Sequence, residues 1–84
     1  MIRILYFARL REQLGLAEET FACPSQIETV ADLLVHLRGR GGVWAETLSE
    51  DKRLMMAVNQ EIVRPEAPIR DGDEVGIFPP VTGG

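Results

Sequence analysis

One stretch of this chain has the pattern of a substantial amphipathic helix, and that limits the fold more than any other feature. Val30, Leu33, Leu34 and Leu37 recur at i, i+3, i+4 and i+7, a single apolar stripe suited to one face of a sheet. Thr29 stands where an N-cap is needed, and Asp32 three residues on makes a variant of the capping box. Gly39, Gly41 and Gly42 end the pattern. Asp32, His36 and Arg40 follow one another at i, i+4 spacing, which predicts a solvated stripe.

Elsewhere the apolar residues alternate. Met1 to Ala8, MIRILYFA, predicts a strand with Ile2, Ile4 and Tyr6 on one face and Arg3, Leu5 and Phe7 on the other. RLREQLG predicts a short helical turn stopped at Gly15, and Glu18 to Cys23 a second strand ended by Pro24. These two strands are expected to pair as a hairpin with a long connection. VWAETL predicts a further helical turn with Trp44 packed down. Leu54 to Asn59 predicts a third strand, EIV a fourth beyond a tight Asn59-Gln60 turn, and Glu74 to Phe78 a last strand after Asp71-Gly72. Pro65 and Pro68 confine the segment between to loop or edge. The order β-β-α-β-β-β indicates an α+β fold, a mixed sheet packed on one main helix.

One helix covers one sheet face, which leaves the other face open. Val75 and Ile77 point inward with Ile2, Ile4 and Tyr6, so Leu5, Phe7 and Phe78 fall on the uncovered side, with Ile62 nearby. Aromatic residues grouped there, beside Arg11, predict a surface for a protein partner.

The residues offer little conventional active-site chemistry. His36 is the lone histidine, at a predicted surface position, and Cys23 ends a strand with no activating neighbour in sequence. One Cys and one His supply no usual metal-ligand set. RGRGG lacks the Lys-Ser/Thr of a phosphate loop and sits at a helix C-terminus, the wrong end for an anion. The DGD of Asp71–Asp73 lacks the further ligands of a calcium loop. A net charge of −4 argues against nucleic acid, no stretch approaches membrane-spanning length, and a single cysteine without a targeting signal points to the cytoplasm. With 84 residues, one domain is expected over 1–84, with a flexible tail over 79–84.

That elimination leaves the ending FPPVTGG. A terminal carboxylate becomes an electrophile once its oxygen is made a leaving group, as in an acyl-adenylate. Gly83 and Gly84 carry no Cβ and suit a narrow channel. Val81 to Gly84 reach about 13–14 Å when extended, and Pro79-Pro80 stiffens the departure from the last strand.

YFARLRE, AVNQEIV and DGDEVGIFPPVTGG, in that order, resemble the small subunits of molybdopterin synthase, ubiquitin-like sulfur carriers with the β-grasp fold. The resemblance implies that an ATP-dependent adenylyltransferase activates the carboxylate of Gly84. A sulfur donor protein then converts it to a thiocarboxylate. The tail, Pro79, Pro80, Val81, Thr82 and Gly83, threads into the large synthase subunit, where the sulfur passes to a pterin precursor in molybdenum cofactor biosynthesis. Phe7, Arg11, Ile62 and Phe78 are the expected partner contacts, in a heterotetramer. The chain would bind no cofactor or metal, ATP being used by the activating enzyme, and would supply no catalytic side chain. Three alternatives use other features. A thiazole-pathway carrier has the same chemistry but usually lacks FPPV. A protein modifier would be joined to lysines; the single Lys52 speaks against self-chains and leaves other targets open. A non-catalytic β-grasp interaction domain would need no terminal Gly-Gly.

Overall fold

The computed structural model describes residues 1–50 and 52–79. Its elements are β1 (Ile2–Tyr6), α1 (Arg9–Leu14), β2 (Glu18–Phe21), α2 (Val30–Arg38), α3 (Val43–Thr47), β3 (Met55–Val58), β4 (Glu61–Val63) and β5 (Glu74–Phe78). The five strands form one sheet in the order β2-β1-β5-β3-β4, with β1 and β5 parallel and every other pair antiparallel. The last strand thus enters between the first and third. Its Val75 and Ile77, like Ile4 of β1, have no solvent exposure. The polar strands β2 and β4 take the edges.

Helix α2 starts where the sequence predicts. The Asp32 N–H donates to Thr29 Oγ1 at 3.1 Å, and the Thr29 N–H donates back to Asp32 Oδ2 at 3.2 Å. The backbone N–H groups of Glu28, at 3.0 Å, and of Thr29 donate to the Asp32 carboxylate and hold it below its ordinary pKa. The loop after β4 takes further orphan donors of this helix end, Val30 N–H to Ala67 O and Ala31 N–H to Pro65 O. Val30, Leu33, Leu34 and Leu37 are all buried, against a core that includes Ile2, Ile4, Tyr6, Met56, Val75 and Ile77.

The strands are shorter than the alternation suggests, because a strand ends where its partner does. Phe21 sits opposite Ile2 and Met55 opposite Phe78, each at the end of the neighbouring strand, so Ala22, Cys23 and Leu54 lie outside the ladder. At the other end of β1, Phe7 leaves the strand for a turn closed by the Leu10 N–H on the Phe7 carbonyl, 3.1 Å. Asn59 and Gln60 both have positive φ, 51° and 72°, as a two-residue hairpin turn requires. The Asn59 side chain ties this turn to the start of β5, accepting from the Glu74 N–H at 3.1 Å.

The solvated stripe needs correction. α2 ends at Arg38, so helical spacing does not place Arg40. Its guanidinium instead turns back and donates to both carboxylate oxygens of Glu19 on β2, each at 2.9 Å, while covering the Trp44 ring at 4.4 Å. Tyr6 donates its hydroxyl to the same carboxylate at 2.7 Å and meets Trp44 edge-on. Burial, then the neighbouring Glu19, pushes the Tyr6 hydroxyl pKa above its ordinary value. Trp44 packs down as expected, and His36 lies against Phe21 with ring centres 5.2 Å apart. Among the described residues, no buried side-chain nitrogen or oxygen lacks a partner, and no helix is long and apolar enough to cross a membrane.

Candidate functional site

Parallel pairing brings the C-terminal ends of β1 and β5 together. Phe7, just past β1, and Phe78, the last residue of β5, therefore leave the sheet side by side. The Phe7 N–H donates to the Ile77 carbonyl at 3.2 Å. The two rings stack with centres 4.4 Å apart and planes 2° from parallel. Beneath them is Gly76. A Cβ there would sit 3.1 Å from Phe7 Cε2 and 3.3 Å from Phe78 Cε1, so the rings occupy space that a side chain would contest.

Sheet register extends this patch across the open face. Leu5 lies opposite Gly76, Gly76 opposite Ala57 and Ala57 opposite Ile62, with Met55 opposite Phe78. Phe7 and Met55 are each 36% exposed and Ile62 is 62% exposed, whereas Ala57 is only 4% exposed. At the patch's other end, Arg3 bridges Glu18 and Glu74, 3.1 Å to each. The result is an apolar centre with a charged rim. Arg11 is exposed on α1, with no side-chain hydrogen bond or ion pair among the described residues. Pro79, half-buried after Phe78, lines a small cleft of about 100 Å³ with Arg9, Leu10, Gln13, Thr47, Lys52 and Leu54. The predicted tail residues Pro80, Val81, Thr82, Gly83 and Gly84 lie outside the described residues.

The remaining reactive side chains are occupied structurally. The Cys23 thiol donates to the Ile27 carbonyl at 3.7 Å, and burial pushes its pKa up, away from the reactive thiolate. Among the described residues, no group of three His, Cys, Asp or Glu side chains is placed to hold a metal ion.

A profile of the ThiS family matches residues 4–84. The chain belongs to the ThiS family. Over 84 residues it is 44% identical to the molybdopterin synthase sulfur carrier subunit of Escherichia coli K12, with all of both chains covered. Against the protein of that name from Haemophilus influenzae it is 36% identical, again over all of both chains. A solved structure from Pyrococcus furiosus, described as a candidate molybdopterin converting factor subunit 1, superposes with a TM-score of 0.75 at 32% identity. That match covers 95% of this chain and 97% of the other. The fold is the ubiquitin-like β-grasp of this family.

Within this ThiS-family fold, Phe7 and Phe78 are brought into contact, and Ile62 shares their face two strands from β5. Alternation puts Gly76 on the Phe78 side of β5, whereas sequence reasoning missed Met55 and Ala57 as parts of the patch. Alternation already puts Met55 and Ala57 on one face, but their placement beside β5 depends on strand order. Gly76 carries no side-chain signal at all; its role exists only in the space above it.

Proposed function

We propose that this chain is the sulfur carrier subunit of molybdopterin synthase, working through the carboxylate of Gly84. The single observation that carries the proposal is the end-to-end match, at 44% identity, with a protein of that name. The geometry is consistent with the role, because the apolar face reaches its aromatic end at Phe78, beside the root of the tail.

In this reading a carboxylate oxygen of Gly84 attacks the α-phosphorus of ATP on an activating enzyme, and pyrophosphate leaves. Sulfur released by a donor protein at the sulfide level, as HS⁻, then attacks the acyl carbon and displaces AMP, leaving a thiocarboxylate. The open face, through Phe7, Ile62 and Phe78 with Arg11 at its margin, docks on the large subunit in a heterotetramer. Residues 79–84 thread into that subunit, where the sulfur passes to a pterin precursor. The partner supplies the catalytic side chains. The chain itself binds no cofactor, and the cytoplasm, which keeps Cys23 reduced, is the proposed location.

The decisive experiment incubates the chain with an activating enzyme, ATP and a sulfur source and reads intact mass. Replacement of one oxygen by sulfur is the expected result. Deleting Gly84, or adding a residue after it, moves the reacting atom by about 3.5 Å and is expected to abolish transfer. Normal sulfur delivery by either altered tail would overturn the proposal.

A further inference from the structure

We propose that the Phe7–Phe78 stack, floored by Gly76, is a positioning device that fixes the direction in which the tail leaves the sheet. This inference rests on the carrier reading above and adds to it. An apolar patch needs rings only as contact area, whereas these rings are constrained far beyond that need.

Three constraints meet at Phe7. Its ring lies flat on Phe78, its N–H holds the Ile77 carbonyl, and its own carbonyl closes the turn to Leu10. The residue after it, Ala8, has φ 52° and ψ −127°, a conformation that a side chain disfavours and glycine tolerates. The surroundings therefore hold Ala8 in a strained turn directly after the ring. On the other side, glycine in the middle of a central strand is a poor choice for stability. At Gly76 its missing Cβ leaves the space that the two stacked rings use.

What the stack constrains is the chain's exit. Phe78 is followed directly by Pro79, whose ring limits its own φ and the backbone of the residue before it. The orientation of Phe78 therefore sets the direction in which Pro79 leaves the sheet. Six residues at full extension reach about 20 Å. A change of about 10° at the root then moves the far end by about 3.5 Å, the length of one residue. A channel that receives the extended tail requires its axis and the exit direction to agree. Phe7 and Gly76 act through Phe78 and are positioning residues; neither touches the reacting carboxyl.

The test compares wild type, Phe7→Leu, Phe7→Tyr, Gly76→Val and the Phe7→Leu/Gly76→Val double variant. Each is converted to the thiocarboxylate and checked by mass. Affinity for the large subunit is measured separately from the single-turnover rate of sulfur transfer to the pterin precursor at saturation. Phe7→Leu keeps apolar bulk but loses the flat ring, and its saturated rate is expected to fall by about 10- to 100-fold, with a smaller change in affinity. Phe7→Tyr keeps the ring and is expected to recover most of the rate. Gly76→Val is expected to show a similar loss, and the double variant little more than the worse single, because both changes break one stack. If Gly76→Val does not fold, the two Phe7 variants decide alone. A saturated rate unchanged in Phe7→Leu, with weaker binding only, would reduce the rings to contact area and overturn the positioning. A wild-type chain that takes up no sulfur would instead overturn the carrier reading, and the positioning with it.

Discussion

On the face beneath α2, Ile4, Val75 and Ile77 have no solvent exposure, while on the opposite face Phe7 keeps 36% and Ile62 62%. Phe7 directly follows β1, the strand of Ile4, and Ile62 lies on β4 of the same sheet. The difference is what lies above them. α2 brings Val30, Leu33, Leu34 and Leu37 onto the first face, and their burial is the main favourable term for folding. On the second face the two rings stack above Gly76, and Phe7, Met55 and Ile62 keep exposed apolar area. With the proposed function, the contrast separates two roles within one sheet, stability beneath the helix and the proposed recognition on the open side.

The strongest way to break the comparison is a cavity on the covered face. Leu33→Ala, at a side chain with no exposure, is expected to destabilise the fold by about 2–5 kcal/mol in chemical denaturation. A loss within experimental error would mean that α2 is not the lid of the core.

Next in size is the polar clasp beside that core. Arg40→Ala removes two charge-assisted hydrogen bonds to Glu19 and uncovers Trp44, for an expected loss of about 1–3 kcal/mol at neutral pH. The hydrogen bonds from Arg40 hold the Glu19 carboxyl below its ordinary pKa, against the opposing effect of burial. A lowered folded pKa gives stability that is present above the unfolded value and lost as pH falls through the folded one. The gap between wild type and Arg40→Ala is therefore expected to narrow in acid below the ordinary glutamate range. Denaturation curves at neutral and acidic pH that kept a constant gap would contradict the clasp.

On the open face the signature reverses. Phe78→Ala is expected to weaken association with the large subunit by more than about 1 kcal/mol while the protein still folds, as calorimetric titration and circular dichroism would report. The smallest effect on folding belongs to Ile62→Ala. Its stability is expected to stay within about 0.5 kcal/mol of wild type, because the side chain is already 62% exposed. A large folding defect there would show that the open face is part of the core.

Much of this contrast was readable from residue order. The helical stripe, the Thr29 cap, the Asn59-Gln60 turn and the inward set Ile2, Ile4 and Tyr6 all depend on neighbours within a few positions. Local sterics, capping and side-chain periodicity act at that range. Phe7 and Phe78 could also be assigned to the open face, since a strand's alternation needs only one side known to be covered. Extrapolation failed where an element stopped. Arg40 continues the helical spacing on paper, but α2 ends at Arg38 and the chain turns toward Glu19, 21 positions earlier.

By itself, then, the sequence determined which segments become helix or strand, which residues of each share a face, and, through its motifs, membership of the ThiS family. Only the tertiary structure decided that β5 enters beside β1, stacking Phe7 on Phe78 above Gly76, and that Arg40 closes on Glu19 and Trp44. The physical reason is range. Periodicity and capping are interactions between near neighbours in the chain, whereas a ring stack joining residues 71 positions apart exists only after the sheet has chosen its strand order.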